Sequence, residues 1–255
     1  MKIGILGGKG MLGSDLTEFL GKEHDVTPIG KDNYEENKGK EFDVFINANG
    51  NSRRFWANEN PLSDFEASTL SVYKSLYDFK FGKYIHISSS DVYENHSNPA
   101  ATLESASINS ANLSPYGLHK YMSEIIVRNR IKNHVILRSS MILGKVLRKG
   151  PLFDIMNGNP LFITLDSSLQ FITTGAIADI LKLCMDKNIS GEIFNMGGRE
   201  SFSFRDSEKY FKKIPELSPN AELQEYEMDV SKISGIYTVK TSEEYLKDML
   251  PVWKK

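Results

Sequence analysis

Short apolar runs alternate along the chain with amphipathic segments of helical period. The run KIGIL (2–6) predicts a buried strand, and the apolar residues after it recur at helical spacing up to Gly21, a plausible C-cap. DVTPI (25–29) predicts a strand at a sheet edge, because Pro28 cannot donate to a strand ladder. Further strands are predicted at 43–48, 83–89, 134–140 and 192–198, and further helices at 61–79, 116–131 and 176–185.

This alternation predicts parallel strands joined by right-handed crossovers, an α/β doubly wound sheet whose ligands bind at the carboxyl ends of the strands. The pattern loosens after about residue 144, and residues 148–162 are rich in loop signals with glycine and proline punctuation. One interleaved unit with a small C-terminal lobe fits this pattern. The predicted sheet domain is 1–144 with 163–198 returning to it, and the predicted lobe is 145–162 with 199–255.

Composition narrows the function classes. The 255 residues carry 31 basic and 33 acidic side chains, a net charge of −2, so we expect no nucleic-acid or anionic-membrane partner. No apolar run approaches the length of a membrane span. The single cysteine, Cys184, cannot form an internal disulfide, and we expect a cytoplasmic protein in which it is a small apolar helix residue. The five histidines show no metal-ligand spacing, so no metal is predicted.

The first strand runs directly into GGKGMLG (7–13), with glycines at Gly7, Gly10 and Gly13. A glycine turn between a buried strand and a helix is the setting of a dinucleotide site, because diphosphate can approach the backbone and the helix N-terminus. The spacing is G-x-x-G-x-x-G and not the G-x-G-x-x-G fingerprint. The turn alone therefore leaves a phosphate cradle and a structural corner equally open.

The end of the second strand reads PIGKDN and bears on the choice of cofactor. An acidic residue there favours NAD by accepting the ribose hydroxyls. Gly30 stands at the expected position and Lys31 follows, which favours NADP. Asp32 would favour NAD if the register were two residues later, and an exposed loop lysine is the alternative interpretation of Lys31.

The stretch YGLHK places Tyr116 and Lys120 on one face of a helix. Lowering the pKa of a tyrosine from about 10 to about 7 needs roughly 4 kcal/mol. One ammonium about 4 Å away supplies on the order of 4 kcal/mol at an effective dielectric near 20. We therefore expect Lys120 to lower the pKa of Tyr116, although such pairs also arise by chance on helix surfaces.

The stretch HISSSDVY (86–93) brings three serines to the carboxyl end of a strand. A serine there can hydrogen-bond and polarise a carbonyl oxygen. A Ser/Asp turn that caps the next segment is the alternative.

The order of these three motifs resembles the extended short-chain dehydrogenase/reductase family, the NAD(P)-dependent sugar-nucleotide epimerases, dehydratases and reductases. The resemblance extends over nearly the whole chain through the stretches FDVFINANG, ILRSSMILG, QFITTGAIADI, GEIFNMGG and DVSKISGIYTVKTSEEYLKDML. It implies a Rossmann-type doubly wound parallel sheet that binds the dinucleotide, with the small C-terminal lobe binding the substrate. It is compatible with a homodimer, since the family often dimerises through helices.

The resemblance also implies roles. Tyr116 would be the general acid/base, Lys120 would bind the nicotinamide ribose, and Ser89 would hydrogen-bond the reacting oxygen, with Ser88 and Ser90 as alternatives. The implied cofactor contacts are Gly7, Gly10, Met11, Leu12, Gly13, Lys31, Asn47, Ala48, Asn49, Tyr116, Lys120 and Ser139. The implied substrate contacts are Ser90, Asp91 and Met141.

Departures from the family patterns guide the choice of reaction. Ser90 and Asp91 stand where the dehydratases carry Asp-Glu, and Met141 stands where UDP-galactose-type epimerases carry asparagine. The pattern is closer to the dTDP-4-dehydrorhamnose reductase branch. The resemblance thus implies NAD(P)H-dependent reduction of a keto-sugar nucleotide, at C4, and Lys31 after Gly30 makes NADP the preferred cofactor. A 4-epimerase with retained cofactor and a non-catalytic NADP-binding sensor or scaffold are the alternatives.

Four other residues invite a chemical interpretation. Arg53 and Arg54 follow the third strand and could meet a diphosphate or the NADP phosphate, or form an exposed loop pair. We expect His119 to be exposed, because adjacent helix residues point apart, and His86 to be packed within its strand.

Overall fold

A six-stranded parallel sheet forms the centre of the computed structural model, which describes residues 1–212 and 214–254. The strands are Lys2–Leu6 (β1), Asp25–Ile29 (β2), Glu41–Asn47 (β3), Lys80–Ser89 (β4), His134–Ser139 (β5), Met141–Leu143 (β6), Leu161–Ile163 (β7), Ser168–Leu169 (β8), Phe171–Thr173 (β9), Glu192–Met196 (β10), Phe202–Ser203 (β11) and Leu217–Glu222 (β12). The order in the sheet is β10-β5-β4-β3-β1-β2. The predicted doubly wound α/β architecture is therefore confirmed.

Helices connect and flank these strands. They are Met11–Leu20 (α1), Tyr34–Asn37 (α2), Arg54–Glu59 (α3), Pro61–Phe65 (α4), Ser71–Asp78 (α5), Pro115–Arg130 (α6), Pro151–Asn157 (α7), Thr174–Asp186 (α8), Ser207–Phe211 (α9), Ser231–Ser234 (α10) and Ser242–Trp253 (α11). The predicted helix 61–79 is α4 and α5 joined by a π-helical turn, Glu66–Leu70. The strand β2, which carries Pro28, lies at the sheet edge as predicted.

The glycine turn is held by close packing. Gly7 has a φ of +81°, and a Cβ there would lie 2.9 Å from the backbone of Ala48 and Asn49, beyond β3. A Cβ on Gly13 would lie 2.1 Å from the Gly7 carbonyl oxygen, so α1 can approach β1 only with glycine at this position. A Cβ on Gly10 would meet only that same oxygen, at 3.2 Å. Packing therefore requires Gly7 and Gly13, whereas Gly10 leaves open space at the helix N-terminus.

The segment predicted to be loop-rich, 148–162, contains the helix α7. Leu152 and Ile155, three residues apart, are buried on its inner face. Pro151 occupies its first turn, and Gly158 ends it in the left-handed region with a φ of 72°. The glycine and proline that read as loop punctuation are thus the two ends of a short helix.

The later part of the chain pairs with itself in three small sheets. β12 pairs with β7, β11 with β8, and β6 with β9. After β9 the chain returns through α8 to β10 of the main sheet. The predicted boundary at 162/163 falls inside β7, and the division into two domains stays a prediction. Cys184 is buried on α8, and burial raises the pKa of its thiol to about 11. Within the described ranges no helix has both the length and the apolar character needed to cross a membrane.

The different packing of the glycines yields a stability prediction. Gly13→Ala forces a Cβ into backbone, and we expect it to lower the free energy of unfolding by about 2–3 kcal/mol. Gly10→Ala, the matched control, should cost less than about 1 kcal/mol because its φ of −73° suits alanine. Urea denaturation of both variants measures the difference, and equal costs would contradict the packing account.

Candidate functional site

The predicted catalytic side chains meet where β4 ends against the start of α6. Ser89 is the last residue of β4, and a Cβ on Gly117 would lie 2.1 Å from the carbonyl oxygen of Asp91. The first turn of α6 therefore packs directly on the segment after β4. Ser114 caps this helix by accepting a hydrogen bond from the Gly117 N–H at 3.2 Å. This close approach brings Tyr116 beside Ser89, as the sequence motifs predict.

The direction in which the Tyr116 pKa moves is opposite to our expectation. Burial raises it above its usual value of 10, the Asp91 carboxylate raises it further, and a hydrogen bond to Ser89 opposes the rise. Tyr116 is 7% exposed, and the Lys120 ammonium lies 5.9 Å from the centre of its ring. Desolvation therefore outweighs the lysine, so Tyr116 is held in its protonated form.

Lys120 is also buried, and burial lowers its pKa, while the carboxylates of Asp64 and Asp91 raise it. Its ammonium lies against Gly50, where a Cβ would be 2.9 Å from the Lys120 Nζ atom. Gly50 has a φ of +134°, a backbone conformation suited to glycine. Our sequence analysis did not select Gly50, although a glycine just after the strand end was a visible signal.

The predicted substrate residue Asp91 forms the hub of a polar cluster over Ser89. Its carboxylate accepts hydrogen bonds from the Ser89 hydroxyl at 2.9 Å, the Arg54 guanidinium at 3.1 Å and the Tyr226 hydroxyl at 3.0 Å. Arg54 also donates to the Gln224 side chain at 3.0 Å. The cluster ties the segment after β12 to Ser89. Tyr226 and Gln224 were missed because no sequence pattern connects them to β4.

A buried ion pair lies directly behind these residues. The Arg138 guanidinium on β5 donates to the Glu124 carboxylate on α6 at 2.7 Å. Burial alone would lower the pKa of Arg138, but Glu124 raises it above its usual value. Glu124 also accepts from Ser88 at 2.5 Å, and Arg138 donates to the Tyr93 hydroxyl at 2.7 Å. Tyr93 in turn donates to Asn195 on β10 at 2.8 Å. The network fixes the end of β4 against α6.

Three of the predicted cofactor residues border a groove at the other half of the sheet edge. Gly7, Lys31 and Asn49 line a cavity of about 1080 Å³ that extends past β1 and β2. At its rim, Lys9 of the glycine turn forms an ion pair with Asp32. Our sequence analysis assigned no role to Lys9.

Other predicted contacts have packing partners that explain their positions. The amide of Asn47 donates to the Tyr84 hydroxyl at 2.7 Å, and its oxygen accepts from the Asn49 N–H at 3.0 Å. Met11 opens α1 and packs where a Cβ on Gly144 would lie 2.7 Å from its Cγ atom. The remaining predicted residues have these positions: Leu12 in the core on the inner face of α1, Ala48 after β3, Ser90 buried after β4, Ser139 buried at the end of β5, and Met141 half-buried near Gly150.

The expectation for His119 was wrong, and that for His86 is confirmed. His119 is 8% exposed, and its Nδ1 atom lies 2.6 Å from the buried carboxylate of Asp64. Its ring is covered because α4 packs on α6, which helical spacing alone could not show. His86 is fully buried without a hydrogen-bond partner, and burial lowers its pKa to about 3. No three metal-ligating side chains cluster among the residues that the structure describes.

Comparison with known proteins decides the class. The profile of the NAD-dependent epimerase/dehydratase family matches residues 3–197, more than half of the chain. The chain belongs to this family. Membership confirms the resemblance to the extended short-chain dehydrogenase/reductases and the predicted class, an NAD(P)-dependent enzyme. No curated protein matches the chain.

Solved structures with the same fold carry different activities. The chain is similar to a dTDP-4-dehydrorhamnose reductase from Clostridium acetobutylicum, with 17% identity, all of both chains covered and a TM-score of 0.77. It is similar to that enzyme from Bacillus anthracis in complex with NADP, with 15% identity, 97% of this chain and 96% of that chain covered, and a TM-score of 0.78. It is also similar to a UDP-glucuronic acid 4-epimerase from Bacillus cereus in complex with UDP-glucuronic acid and NAD. That match has 20% identity, 100% and 99% coverage, and a TM-score of 0.77. At such identities these likenesses show the fold alone.

The buried ion pair gives a prediction for the site's scaffold. Glu124→Leu leaves the Arg138 charge buried without its partner, and we expect a loss of about 3–5 kcal/mol in the free energy of unfolding. The double variant with Arg138→Met removes both charges and should be less destabilised than the single variant. Denaturant unfolding compares the two variants. A double variant with a lower free energy of unfolding than Glu124→Leu would contradict the prediction.

Proposed function

We propose that the protein reduces the keto group of a nucleotide-linked sugar, at C4, with NADPH as the preferred reductant. The observation that carries the proposal is the protonated Tyr116 hydroxyl beside Ser89 at the carboxyl end of β4, with Lys120 one helical turn away. Two of the similar solved structures are complexes with UDP-N-acetylmuramic acid and with UDP-glucuronic acid, which supports the choice of substrate class.

Each residue has a defined task in this reaction. The carbonyl oxygen would lie between the Ser89 and Tyr116 hydroxyls. Both can donate hydrogen bonds to the developing negative charge once the Ser89 hydroxyl turns away from Asp91, to which it donates at 2.9 Å in this structure. Tyr116 then gives up its proton to this oxygen as general acid. The Lys120 ammonium, held between Gly50 and the Tyr116 ring, stabilises the resulting tyrosinate and is placed to hold the ribose next to the nicotinamide.

The glycine turn fits a dinucleotide. Packing alone would allow a side chain at Gly10. Because glycine stands there, the backbone at the start of α1 is open to a diphosphate. When bound, NADPH supplies the hydride that adds to the carbonyl carbon. Lys31 borders the groove at the end of β2, where an ammonium suits the 2′-phosphate of NADP. Asp32, the residue that would favour NAD, is already paired with Lys9.

Two observations bear on whether the protein is a reductase or a 4-epimerase. An epimerase must first remove a proton from a sugar hydroxyl, which requires Tyr116 as a base. Burial and Asp91 favour the protonated tyrosine, the form that a reductase needs. The similarity to 4-epimerase structures keeps epimerisation as the second candidate.

The lobe of residues 145–162 and 199–255 would bind the nucleotide sugar. Its residues Gln224 and Tyr226 already reach Arg54 and Asp91 above Ser89, which supports this assignment. Ser90, directly after β4, and Met141, at the start of β6, would complete the substrate contacts. A homodimer in solution is part of the proposal and rests on the family resemblance.

The acid role of Tyr116 can be tested by removing one oxygen atom. Tyr116→Phe should lower turnover by at least about 100-fold and change the Kd for NADPH by less than about twofold, because only the proton donor is lost. Turnover is measured as the loss of NADPH absorbance at 340 nm with a panel of keto-sugar nucleotides.

Tyr121→Phe, on the same helix and outside the site, is the control and should keep wild-type turnover. An active Tyr116→Phe variant would sink the assignment. Conversion of the sugar without a change at 340 nm would select the epimerase, and tight NADPH binding without turnover would select the sensor.

The cofactor preference can be tested by binding alone. Lys31→Met should weaken NADPH binding about 10-fold and leave NADH binding within about twofold, because only NADPH carries the 2′-phosphate. Lys38→Met is the control, since Lys38 lines the same cavity but pairs with Glu35 at 2.9 Å. Titration of reduced-nicotinamide fluorescence gives both affinities, and equal losses for the two cofactors would refute the role of Lys31.

A further inference from the structure

A carboxylate lies against the serine that the proposed reaction uses. Asp91 follows Ser89 by two residues, and its Oδ2 atom accepts a hydrogen bond from the Ser89 hydroxyl at 2.9 Å. The Ser89 oxygen in turn accepts from the Asp91 N–H at 3.3 Å. The start of α6 packs on this turn, because a Cβ on Gly117 would lie 2.1 Å from the Asp91 carbonyl oxygen. The turn is therefore fixed against the helical turn that carries Tyr116.

The other carboxylate oxygen of Asp91 is held from two more segments of the chain. Its Oδ1 atom accepts from the Arg54 guanidinium at 3.1 Å and from the Tyr226 hydroxyl at 3.0 Å. The Tyr226 ring is itself packed, with the Arg54 guanidinium 5.0 Å from its centre and the His96 ring stacked on it at 4.2 Å. An oxygen with two donors has both lone pairs in use. Arg54 and Tyr226 therefore fix the carboxylate and leave Oδ2 as the atom that can change its partner.

The proposed reaction takes the donor of Oδ2 away. Ser89 polarises a carbonyl oxygen by donating its one hydroxyl proton, and its hydrogen bond to Asp91 is then lost. Rotation of the hydroxyl is enough, since the Asp91 N–H still holds the Ser89 oxygen. Within residues 1–212 and 214–254, Oδ2 accepts from the Ser89 hydroxyl alone. The Asp91 side chain is 13% exposed, so Oδ2 would be left without a donor and nearly without water, which is costly for a carboxylate.

A hydroxyl of the sugar can supply the missing donor. A keto group with a hydroxyl near it carries one acceptor and one donor, and these match the donor of Ser89 and the acceptor of Asp91 once their own hydrogen bond is broken. One hydrogen bond is thus replaced by two. On a 4-keto-hexose, two hydroxyls flank the carbonyl, the one on C3 and the one on C6, because C5 carries the ring oxygen. A sugar without the matching hydroxyl would leave Oδ2 unpaired.

We propose that Asp91 determines the specificity of the site, because its Oδ2 atom exchanges the Ser89 hydroxyl for a sugar hydroxyl that flanks the keto carbon, on C3 or on C6. The inference rests on the proposed function, since it requires a carbonyl oxygen at Ser89, and it narrows the substrate class to hydroxylated 4-keto-hexoses. The sugar hydroxyl keeps its proton throughout and only donates a hydrogen bond. Arg54 and Tyr226 act as positioning residues, because they hold Oδ2 in place through Oδ1.

The experiment compares three sugars that differ by single hydroxyls: a 4-keto-hexose, its 3-deoxy analogue and its 6-deoxy analogue, each linked to UDP and to dTDP. With the analogue that lacks the matching hydroxyl, wild-type protein should lose about 10- to 100-fold in kcat/KM for NADPH oxidation, because Oδ2 then has no donor. Isothermal titration of the full chain with the same sugars, with NADP⁺ in place of NADPH, should show a loss of similar size in Kd without turnover.

Two variants of the same cluster separate this contact from a merely structural role. Asp91→Ala removes the acceptor, so the parent sugar and the analogue should differ by less than about threefold in kcat/KM and in Kd, at any level of overall activity. Tyr226→Phe is the matched control, because it removes a donor to Oδ1 and keeps the ring that packs on Arg54. This variant should keep the wild-type ratio between the two sugars. Thermal unfolding midpoints show whether both variants are folded.

Failure of this inference and failure of the proposed function give different results. A loss confined to the 3-deoxy or to the 6-deoxy analogue assigns the hydroxyl to C3 or to C6, and either result supports the inference. Equal reduction of all three sugars by wild-type protein would overturn the role of Asp91 and leave the reductase intact. So would an Asp91→Ala variant that still separates the sugars as wild type does. If no sugar is reduced, the proposed function fails, and the Kd ratios alone decide on Asp91.

Discussion

The buried pair of Arg138 and Glu124 is the interaction on which the rest of the candidate site depends. Two opposite charges removed from water are stable only when every hydrogen-bonding atom around them is satisfied, and that requirement dictates the positions of their neighbours. Ser88 and Tyr93 supply the remaining bonds from the end of β4 and from the segment after it. The last residues of β4 are therefore held against the middle of α6. This network therefore positions the hydroxyls of Ser89 and Tyr116 relative to each other.

Burial then sets the protonation of the site. The same dry environment raises the pKa of Tyr116 and lowers that of Lys120, so both groups lean toward their neutral forms. The Asp91 carboxylate adds to the rise for the tyrosine and opposes the fall for the lysine. The Asp91 carboxylate also pairs with Arg54 at 3.1 Å, so the charge of that guanidinium is neutralised beside Ser89.

Much of the fold could be predicted from sequence because its signals are local. Apolar runs and helical spacing depend on near neighbours, so β1, β4 and α6 were located within a few residues. What could not be predicted depends on contacts between distant segments. The helix α7 was hidden because its capping residues also mark loops, and His119 was misjudged because the helix that covers it comes 55 residues earlier. The predicted direction of the Tyr116 pKa shift was wrong for a related reason, since residue spacing shows the lysine but not the loss of water around the tyrosine ring.

The edge strand β10 limits when the hydrogen bonds behind the candidate site can form. Asn195 on that strand accepts from Tyr93 and donates to the carbonyl oxygens of Thr102 and Asp229. The Tyr93 hydroxyl, which accepts from Arg138, thus has its own acceptor only when Tyr93 and Asn195, about a hundred positions apart, are in contact. During synthesis, Ser89 on β4 and Tyr116 on α6 emerge long before β10 and the Asp229 segment. The nascent chain therefore cannot complete the hydrogen bonds of Tyr93 and Asn195 until those later segments have been made.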